Sequence, residues 1–172
     1  MQATITYNQQ QYKIDLSKPL DISLTLRGDE KNSIAWYLGP PKIKPVKDGD
    51  FIGKVNEGAS TNFNDIYFNP HGHATHTECV GHITPEFHSI NESLKNFFFL
   101  AKLISVEPVS RGEDKVITKE QIQKLFQKGE AEAIVIRTLP NTIAKRSKHY
   151  SHTNWPYLEE AAARYLRESG VE

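Results

Sequence analysis

One stretch of the chain, residues 69–83, concentrates side chains that bind metals. It reads Asn-Pro-His-Gly-His-Ala-Thr-His-Thr-Glu-Cys-Val-Gly-His-Ile and holds four of the seven histidines of the protein. Those four are His71, His73, His76 and His82. Neutral imidazole and carboxylate are the usual ligands of a divalent transition metal such as zinc. In an extended segment side chains alternate between two faces, so His76, Glu78 and His82 would share one face. The stretch predicts a metal site; a polar, histidine-rich surface loop is the alternative interpretation.

The same stretch resembles a family signature. The metal-dependent cyclases and kynurenine formamidases carry the pattern His-x-Gly-Thr-His-x-Asp-x-Pro-x-His. Residues 74–82, Ala-Thr-His-Thr-Glu-Cys-Val-Gly-His, are similar to its last nine positions. Thr75, His76 and His82 match the pattern, Glu78 stands in place of its Asp, and alanine and valine stand in place of its Gly and Pro. The chain therefore resembles this family.

The first histidine of the signature has two candidates in this chain. Its position falls on Gly72, which lies between His71 and His73. A one-residue insertion, accommodated as a bulge at Gly72, would bring His71 into register. We therefore prefer His71 as the first ligand and keep His73 as the alternative.

The resemblance implies a metal centre and a reaction. His71, His76 and Glu78 would hold a divalent metal, with zinc as the expected ion and manganese as the alternative. The metal would lower the pKa of a bound water to about 7, and this water would attack an amide, formamide or lactone carbonyl. His82 would take the role of the family's last motif histidine, which is to move protons to the leaving group. The residues themselves do not distinguish this role from that of a further ligand.

Other side chains near the histidines have less specific signals. In the resembling family, the segment equivalent to residues 27–64 helps to wall the substrate pocket with aromatic rings. Trp36 and Tyr37 are therefore candidates for such a wall, although packing outside the core would explain them equally well. Cys79 would alternate to the face opposite Glu78, so we interpret it as a core residue and not as a thiolate ligand.

Composition excludes several other classes of protein. Lysine plus arginine number 21 and aspartate plus glutamate also number 21, so no net field attracts nucleic acid or an anionic membrane. No window approaches the roughly 18 apolar residues of a membrane span, and residues 1–12 lack the pattern of a secretory signal. A single cysteine excludes an internal disulfide framework. We expect a cytoplasmic protein with a small-molecule substrate and with no nucleic-acid or membrane partner.

Hydrophobic periodicity predicts a mixed α/β fold. Strands are expected at residues 3–7 and 11–15 as a hairpin, at 20–26, at 63–68, at 97–106 and at 133–138. The run at 97–106 should be a central strand, buried at its start on both faces. Thr118 and Gln121 form a capping box for a helix that reaches Lys128, and Pro156 opens a last helix. The resemblance covers nearly the whole chain and implies the swivelling β/β/α fold of the kynurenine formamidase-like hydrolases.

The length of the chain sets a further expectation. With 172 residues it can form one domain with a proper core, so we expect residues 1–172 to be a single cyclase-like domain. Members of the resembling family are usually longer, and their later strand, His and Glu complete the metal site. The chain is therefore expected to be C-terminally incomplete relative to the family. Its unpaired sheet edge would favour association, which predicts a homo-oligomer, a dimer or higher.

Three functions are compatible with these features. The leading prediction is a metal-dependent amidohydrolase of the cyclase or arylformamidase type. The alternative is a catalytically impaired member that binds metal or a small ligand without turnover. A structural zinc site is the third, and it is disfavoured because such sites usually have four protein ligands, mostly cysteine. The residues do not specify the substrate.

Overall fold

The structure is a computed structural model that describes residues 1–172. Its strands, in chain order, are β1 (Gln2–Tyr7), β2 (Gln10–Asp15), β3 (Lys42–Pro45), β4 (Lys47–Asp48), β5 (Phe51–Ile52), β6 (Asn64–Tyr67), β7 (Ala101–Val106), β8 (Val109–Arg111), β9 (Asp114–Ile117), β10 (Ala133–Thr138) and β11 (Tyr157–Leu158). Its α-helices are α1 (Pro70–His73), α2 (Ile90–Ser93), α3 (Lys119–Leu125) and α4 (Glu160–Glu168). Short 3₁₀ helices cover Val55–Glu57, Val80–His82 and Ile143–Ser147. The predicted mixture of α and β structure is confirmed.

The chain forms two compact units, each assembled from separate stretches of sequence. Unit 1 comprises Met1–Ile22, Leu94–Pro140 and Pro156–Glu172. Unit 2 comprises Ser23–Ser93 and Asn141–Trp155. The candidate metal ligands all belong to unit 2.

The N-terminal hairpin of unit 1 forms as predicted. β1 and β2 pair antiparallel, with Gln2 opposite Asp15 at the open end. The two connecting residues, Asn8 and Gln9, have φ of 46° and 63°. Positive φ at both central positions is what a two-residue type I′ turn requires, and this turn matches the twist of the strands that it joins.

The core of unit 1 is a cluster of buried residues from β7, β9, α3 and α4. Its members are Ile104, Val106, Ile117, Ile122, Phe126, Ala131, Ala162, Tyr165 and Leu166. β7 and β10 pair in parallel, and Ile104 and Val106 point from β7 into this cluster. Ile122 of α3 and Phe126, the residue that follows α3, have no exposed surface and lie at the centre of the core.

Helix α3 begins at the predicted capping box and ends earlier than predicted. Thr118 accepts from the Gln121 N–H at 3.4 Å, and the Gln121 side chain accepts from the Thr118 N–H at 3.0 Å. The helix ends at Leu125 and not at Lys128, because Phe126 adopts an extended backbone that turns its ring into the core. The carbonyl oxygen of Phe126 then accepts from the Tyr165 hydroxyl of α4 at 2.9 Å.

Helix α4 begins at Glu160, four residues after Pro156, because the intervening Tyr157–Leu158 pairs with β9 as β11. Glu159 links three elements at this point. Its Oε1 accepts from the Lys119 N–H at the start of α3 at 2.7 Å, and its Oε2 accepts from Arg111 of β8 at 2.7 Å. None of the helices combines the length and the apolar character that crossing a membrane demands.

Two strand predictions are wrong. Residues 20–26 form no strand, and Leu20 and Ile22 are 91% and 79% exposed. The chain passes from unit 1 to unit 2 between Ile22 and Ser23, where alternation of apolar residues finds no partner strand to pair with.

The apolar run at 97–106 is a strand only in its second half and is not central. Phe97 and Phe98 are 72% and 91% exposed, and β7 begins at Ala101 and pairs with β10 alone. The strand begins opposite Ala133, the first residue of β10. Pairing therefore extends only as far as the partner strand does.

Candidate metal centre

The histidine stretch begins with a short helix, α1. Asn69 caps it, accepting from the Gly72 N–H at 3.3 Å, and Pro70 occupies its first turn, where no N–H is needed. The bulge predicted at Gly72 is wrong, because Gly72 lies inside this helix. A Cβ on Gly72 would lie 2.5 Å from Leu38 Cδ1 and 3.2 Å from the Ala35 carbonyl oxygen, so residues 35–38 approach this helix closely. After His73 the chain becomes extended.

Three imidazole rings meet at the carboxylate of Glu78. Its Oε2 lies 3.1 Å from His71 Nδ1, 3.5 Å from His76 Nε2 and 3.7 Å from His82 Nδ1. The rings of His71 and His82 stack with centroids 4.3 Å apart, and those of His71 and His76 meet edge-on at 5.0 Å. Four side chains from one short stretch are thus within reach of a single point.

His82 reaches this point from a 3₁₀ turn and not from a continuing extended segment. The turn Val80–His82 packs closely on the backbone of His88: a Cβ on Gly81 would lie 2.5 Å from the His88 carbonyl oxygen. The Cys79 thiol donates to the same oxygen at 3.2 Å. Cys79 is only partly buried and is not part of the core, where the sequence placed it.

The donor set fits a divalent transition metal. The ligand atoms of His71, Glu78 and His82 all lie within 4.8 Å of one another. Two atoms that bind the same tetrahedral zinc are about 3.4 Å apart, so the distances around Glu78 Oε2 suit a shared ion. This set of ligand atoms contains His82 and not the predicted ligand His76, although His76 Nε2 lies 3.5 Å from Glu78 Oε2. The four side chains are between 28% and 46% exposed, which leaves the site open to water and to a substrate.

His73, the alternative first ligand, faces away from this carboxylate cluster into the protein. The residue is 4% exposed. Its Nδ1 accepts from the Asn69 N–H at 2.9 Å, and its Nε2 lies 2.8 Å from the Gly39 carbonyl oxygen. Both ring nitrogens therefore have backbone partners.

Trp36 and Tyr37 lie on a turn that packs against α1. The Ala35 N–H donates to the Gly72 carbonyl at 2.9 Å, and Leu38 packs on Gly72 from the other end of the turn. Trp36 and Tyr37, between these two contacts, are 57% and 67% exposed. The turn thus presents two aromatic rings to solvent, one or two residues from direct contacts with the helix of His71.

The backbone is strained both in this aromatic turn and at His152, whose ring contacts the turn. Trp36, Tyr37 and His152 have φ of 57°, 59° and 58°, a region that bulky residues rarely adopt. The Tyr37 and His152 rings meet edge-on at 4.7 Å, and the Trp36 and Trp155 rings meet at 5.6 Å. Strain of this kind clusters at functional sites. No signal in the sequence indicated that Trp155 and His152 would contact Trp36 and Tyr37, since no spacing relates them to a turn more than a hundred residues earlier.

A comparison with protein families identifies the chain. The Cyclase family model matches residues 14–172, which include every candidate ligand. The chain belongs to the Cyclase family. The resemblance seen in the histidine stretch is therefore confirmed, and the membership indicates a cyclase- or hydrolase-like enzyme. No curated protein and no solved structure matches the chain.

Proposed function

We propose that this cyclase-family chain is a metal-dependent hydrolase of the arylformamidase type, which cleaves an amide, formamide or lactone carbonyl with activated water. The observation that carries the proposal is the convergence of three imidazoles within 3.7 Å of one Glu78 oxygen. Zinc is the favoured ion and manganese the alternative, because imidazole and carboxylate suit both. The swivelling β/β/α fold of the kynurenine formamidase-like hydrolases is part of the same proposal.

His71, His76 and Glu78 hold the ion in this proposal. When bound, the ion supplies Lewis-acid activation of water and of the carbonyl oxygen. Glu78 brings one methylene more than the aspartate of the family signature, and the rings of His71 and His76 lie on both sides of its carboxylate. The carboxylate thereby orients both imidazoles, and the solvent exposure of all three side chains admits a substrate.

His82 carries protons between the substrate and water. Its Nδ1 lies 3.7 Å from Glu78 Oε2, and its side chain is 44% exposed, so the ring contacts both the centre and solvent. It stands on a turn of its own, separate from the segment that carries His76 and Glu78. A general acid or base must be within reach of the reacting group, and this position meets that requirement. The competing role, a further ligand, uses the same position.

Trp36 and Tyr37 form one wall of the substrate site. Their rings are exposed on a turn that hydrogen bonds to α1 at Gly72. Exposed aromatic rings in a fixed backbone bind apolar, planar groups at low entropic cost. We expect Trp36→Ala to raise KM for a substrate with an aromatic substituent more than for its aliphatic counterpart.

Metal analysis of single variants tests the assignment of roles. His76→Ala should remove most of the zinc, because one ligand of three is lost. His82→Ala should keep the zinc and lose roughly 10²–10⁴-fold in hydrolysis rate. His149→Ala is the control: His149 is also in unit 2, and its Nε2 contacts the Glu30 carbonyl and not the cluster. Zinc retained in His76→Ala would remove His76 from the site, and zinc lost in His82→Ala would make His82 a ligand.

A hydrolysis assay separates the two leading functions. Wild-type protein loaded with zinc or manganese is tested on an aryl formamide, a simple amide and a lactone, and turnover of any of these supports the hydrolase. Zinc binding without turnover would favour a catalytically impaired member, for which the longer Glu78 side chain gives a physical reason: displacement of a catalytic group by about 1 Å can cost 10²-fold in rate. Absence of metal binding would contradict the hydrolase and would leave, of the alternative, only a member that binds a small ligand.

A further inference from the structure

Two buried polar side chains, Asn32 and His73, stand out in unit 2. They are 1% and 4% exposed. Burying a polar group destabilises a protein unless the group is hydrogen bonded. The bonds that these two residues make therefore show what their burial supports.

His73 completes the N-terminal cap of α1. Asn69 accepts from the Gly72 N–H, and in return His73 Nδ1 accepts from the Asn69 N–H at 2.9 Å. This reciprocal pair resembles a capping box in which histidine takes the place of the usual Glu or Gln. Since Nδ1 accepts from a backbone N–H, the proton of the neutral ring is on Nε2, which donates to the Gly39 carbonyl at 2.8 Å. The ring has no lone pair left for a metal.

Asn32 holds the other end of the same helix. Its Nδ2 donates to the His73 carbonyl oxygen at 2.7 Å and to the Ser33 carbonyl oxygen at 2.6 Å. Its Oδ1 accepts from the Arg27 N–H at 2.8 Å. The last carbonyls of a helix have no partner within it, and Asn32 satisfies one of them.

These bonds matter because α1 is only four residues long. A helix of this length does not form by itself, since nucleation costs more than one turn of hydrogen bonds returns. Its orientation depends on Asn32, on His73 and on the Ala35 N–H bond to Gly72. His71 lies in the middle of the helix, so the direction of its ring depends on the same bonds.

We propose that His73 and Asn32 are positioning residues of the metal centre, which fix α1 so that His71 Nδ1 points at Glu78. The inference rests on the proposed function, because it concerns the same metal site. Residues that orient a ligand typically change metal affinity by 10–100-fold when they are replaced. A site on a four-residue helix is especially sensitive, because displacement of a ligand by more than about 0.5 Å impairs binding.

A pair of substitutions at His73 separates its two bonds. His73→Gln keeps a donor toward the Gly39 carbonyl and loses the acceptor for the Asn69 N–H, and His73→Asn does the reverse. We expect each to weaken zinc affinity by about 10–100-fold, measured by competition with a chelator on protein shown to be folded by circular dichroism. His149→Asn is the matched control, since it removes an Nε2 contact with a backbone carbonyl, that of Glu30 at 3.1 Å, which does not involve α1. Its zinc affinity should be unchanged.

The visible spectrum of bound cobalt gives a second readout that a purely structural role would not move. We expect both His73 variants to change this spectrum, because the His71 ring would be displaced in the coordination sphere. If they lower only the free energy of unfolding and keep the wild-type zinc affinity and cobalt spectrum, the inference is overturned and the proposed function stands. Wild-type protein that binds neither zinc nor manganese would overturn both.

Two further measurements cover the case in which the His73 variants do not fold. Asn32→Asp keeps the acceptor for the Arg27 N–H and loses the donor to the His73 carbonyl, and it should weaken zinc affinity in the same range. In the unmodified protein, nitrogen-15 NMR should show His73 protonated at Nε2 and not at Nδ1, both before and after zinc is added. Zinc coordination at a His73 nitrogen would make His73 a ligand and overturn the inference.

Discussion

The turn that carries His82 can be displaced by a single methyl group, in the substitution Gly81→Ala. The new Cβ would lie 2.5 Å from the His88 carbonyl oxygen and 3.1 Å from both the N and the Cβ of His88. A carbon and an oxygen in ordinary contact are about 3.3 Å apart, so the two segments must separate by roughly 0.8 Å. Because the nearest opposing atom is a backbone carbonyl oxygen, no side-chain rotation relieves the clash.

The displacement should affect both stability and activity. Insertion of a methyl group into a tightly packed contact costs about 1–3 kcal/mol of the free energy of unfolding. His82 follows Gly81 directly, so its ring moves relative to Glu78 by a distance similar to the displacement of the turn. A misplacement of about 1 Å can cost 10²-fold in rate. We therefore expect Gly81→Ala to lose 1–3 kcal/mol of stability and up to about 10²-fold in hydrolysis rate.

Urea denaturation and the hydrolysis rate of the zinc-loaded protein measure the two effects. The control is Gly39→Ala, because a Cβ on Gly39 meets no atom within 4 Å and its φ is not left-handed. Its carbonyl also remains free to accept from His73. Gly39→Ala should behave like the wild type. A Gly81→Ala protein with wild-type stability and rate would show that the His88 segment yields freely, and would refute the argument that this contact holds the His82 turn.

Three further outcomes are expected. Phe126→Ala should lower the free energy of unfolding by about 3–5 kcal/mol, because Phe126 has no exposed surface in the core of unit 1; a loss below about 1 kcal/mol in urea denaturation would contradict this packing. The Lys119 N–H, and to a smaller extent Arg111, lower the pKa of the Glu159 carboxyl in the folded protein. Ionised Glu159 therefore stabilises the fold fully at a pH above the pKa of the unfolded state. This stabilisation is lost as the pH falls through the lower pKa of the folded state. Glu159→Gln should therefore be less stable than the wild type at pH 7, and the difference should shrink in acid; parallel pH profiles would exclude this role. We also propose that the chain is a homo-oligomer, because parallel sheets are normally covered on both faces and Leu103 of β7 is 61% exposed. Light scattering should give a mass above the 19.6 kDa of one chain. A monomer at micromolar concentration would contradict the proposal.

Local signals in the sequence predicted those elements whose interactions are between neighbouring residues. The capping box at Thr118 formed as expected, since both of its hydrogen bonds join residues three positions apart. The hairpin at residues 3–15 also formed, because a two-residue turn brings its strands together directly. Two strands with more distant partners, β6 and β10, also formed at the predicted positions 63–68 and 133–138.

The two strand predictions that failed did so because a partner strand was absent or began later than expected. The alternating residues at 20–26 are typical of a strand, and a strand exists only where another strand accepts its hydrogen bonds. The run that begins at Phe97 has the same limitation, because its pairing starts only where β10 starts. Hydrophobicity alone also gave no sign that Phe97 and Phe98 would be exposed.

For the metal centre, the sequence indicated the candidate ligands, and the tertiary structure decided which of them face Glu78. The residue types and their close spacing pointed to His71, His73, His76, Glu78 and His82, because all candidate ligands lie in one short stretch. Which of the first two histidines faces Glu78 depended on tertiary structure: His73 is held by the Gly39 carbonyl, 34 residues away, and its own carbonyl by Asn32, 41 residues away. A buried imidazole must satisfy both of its nitrogens, and only the folded chain brings the partners of His73 to it and leaves His71 to face the carboxylate.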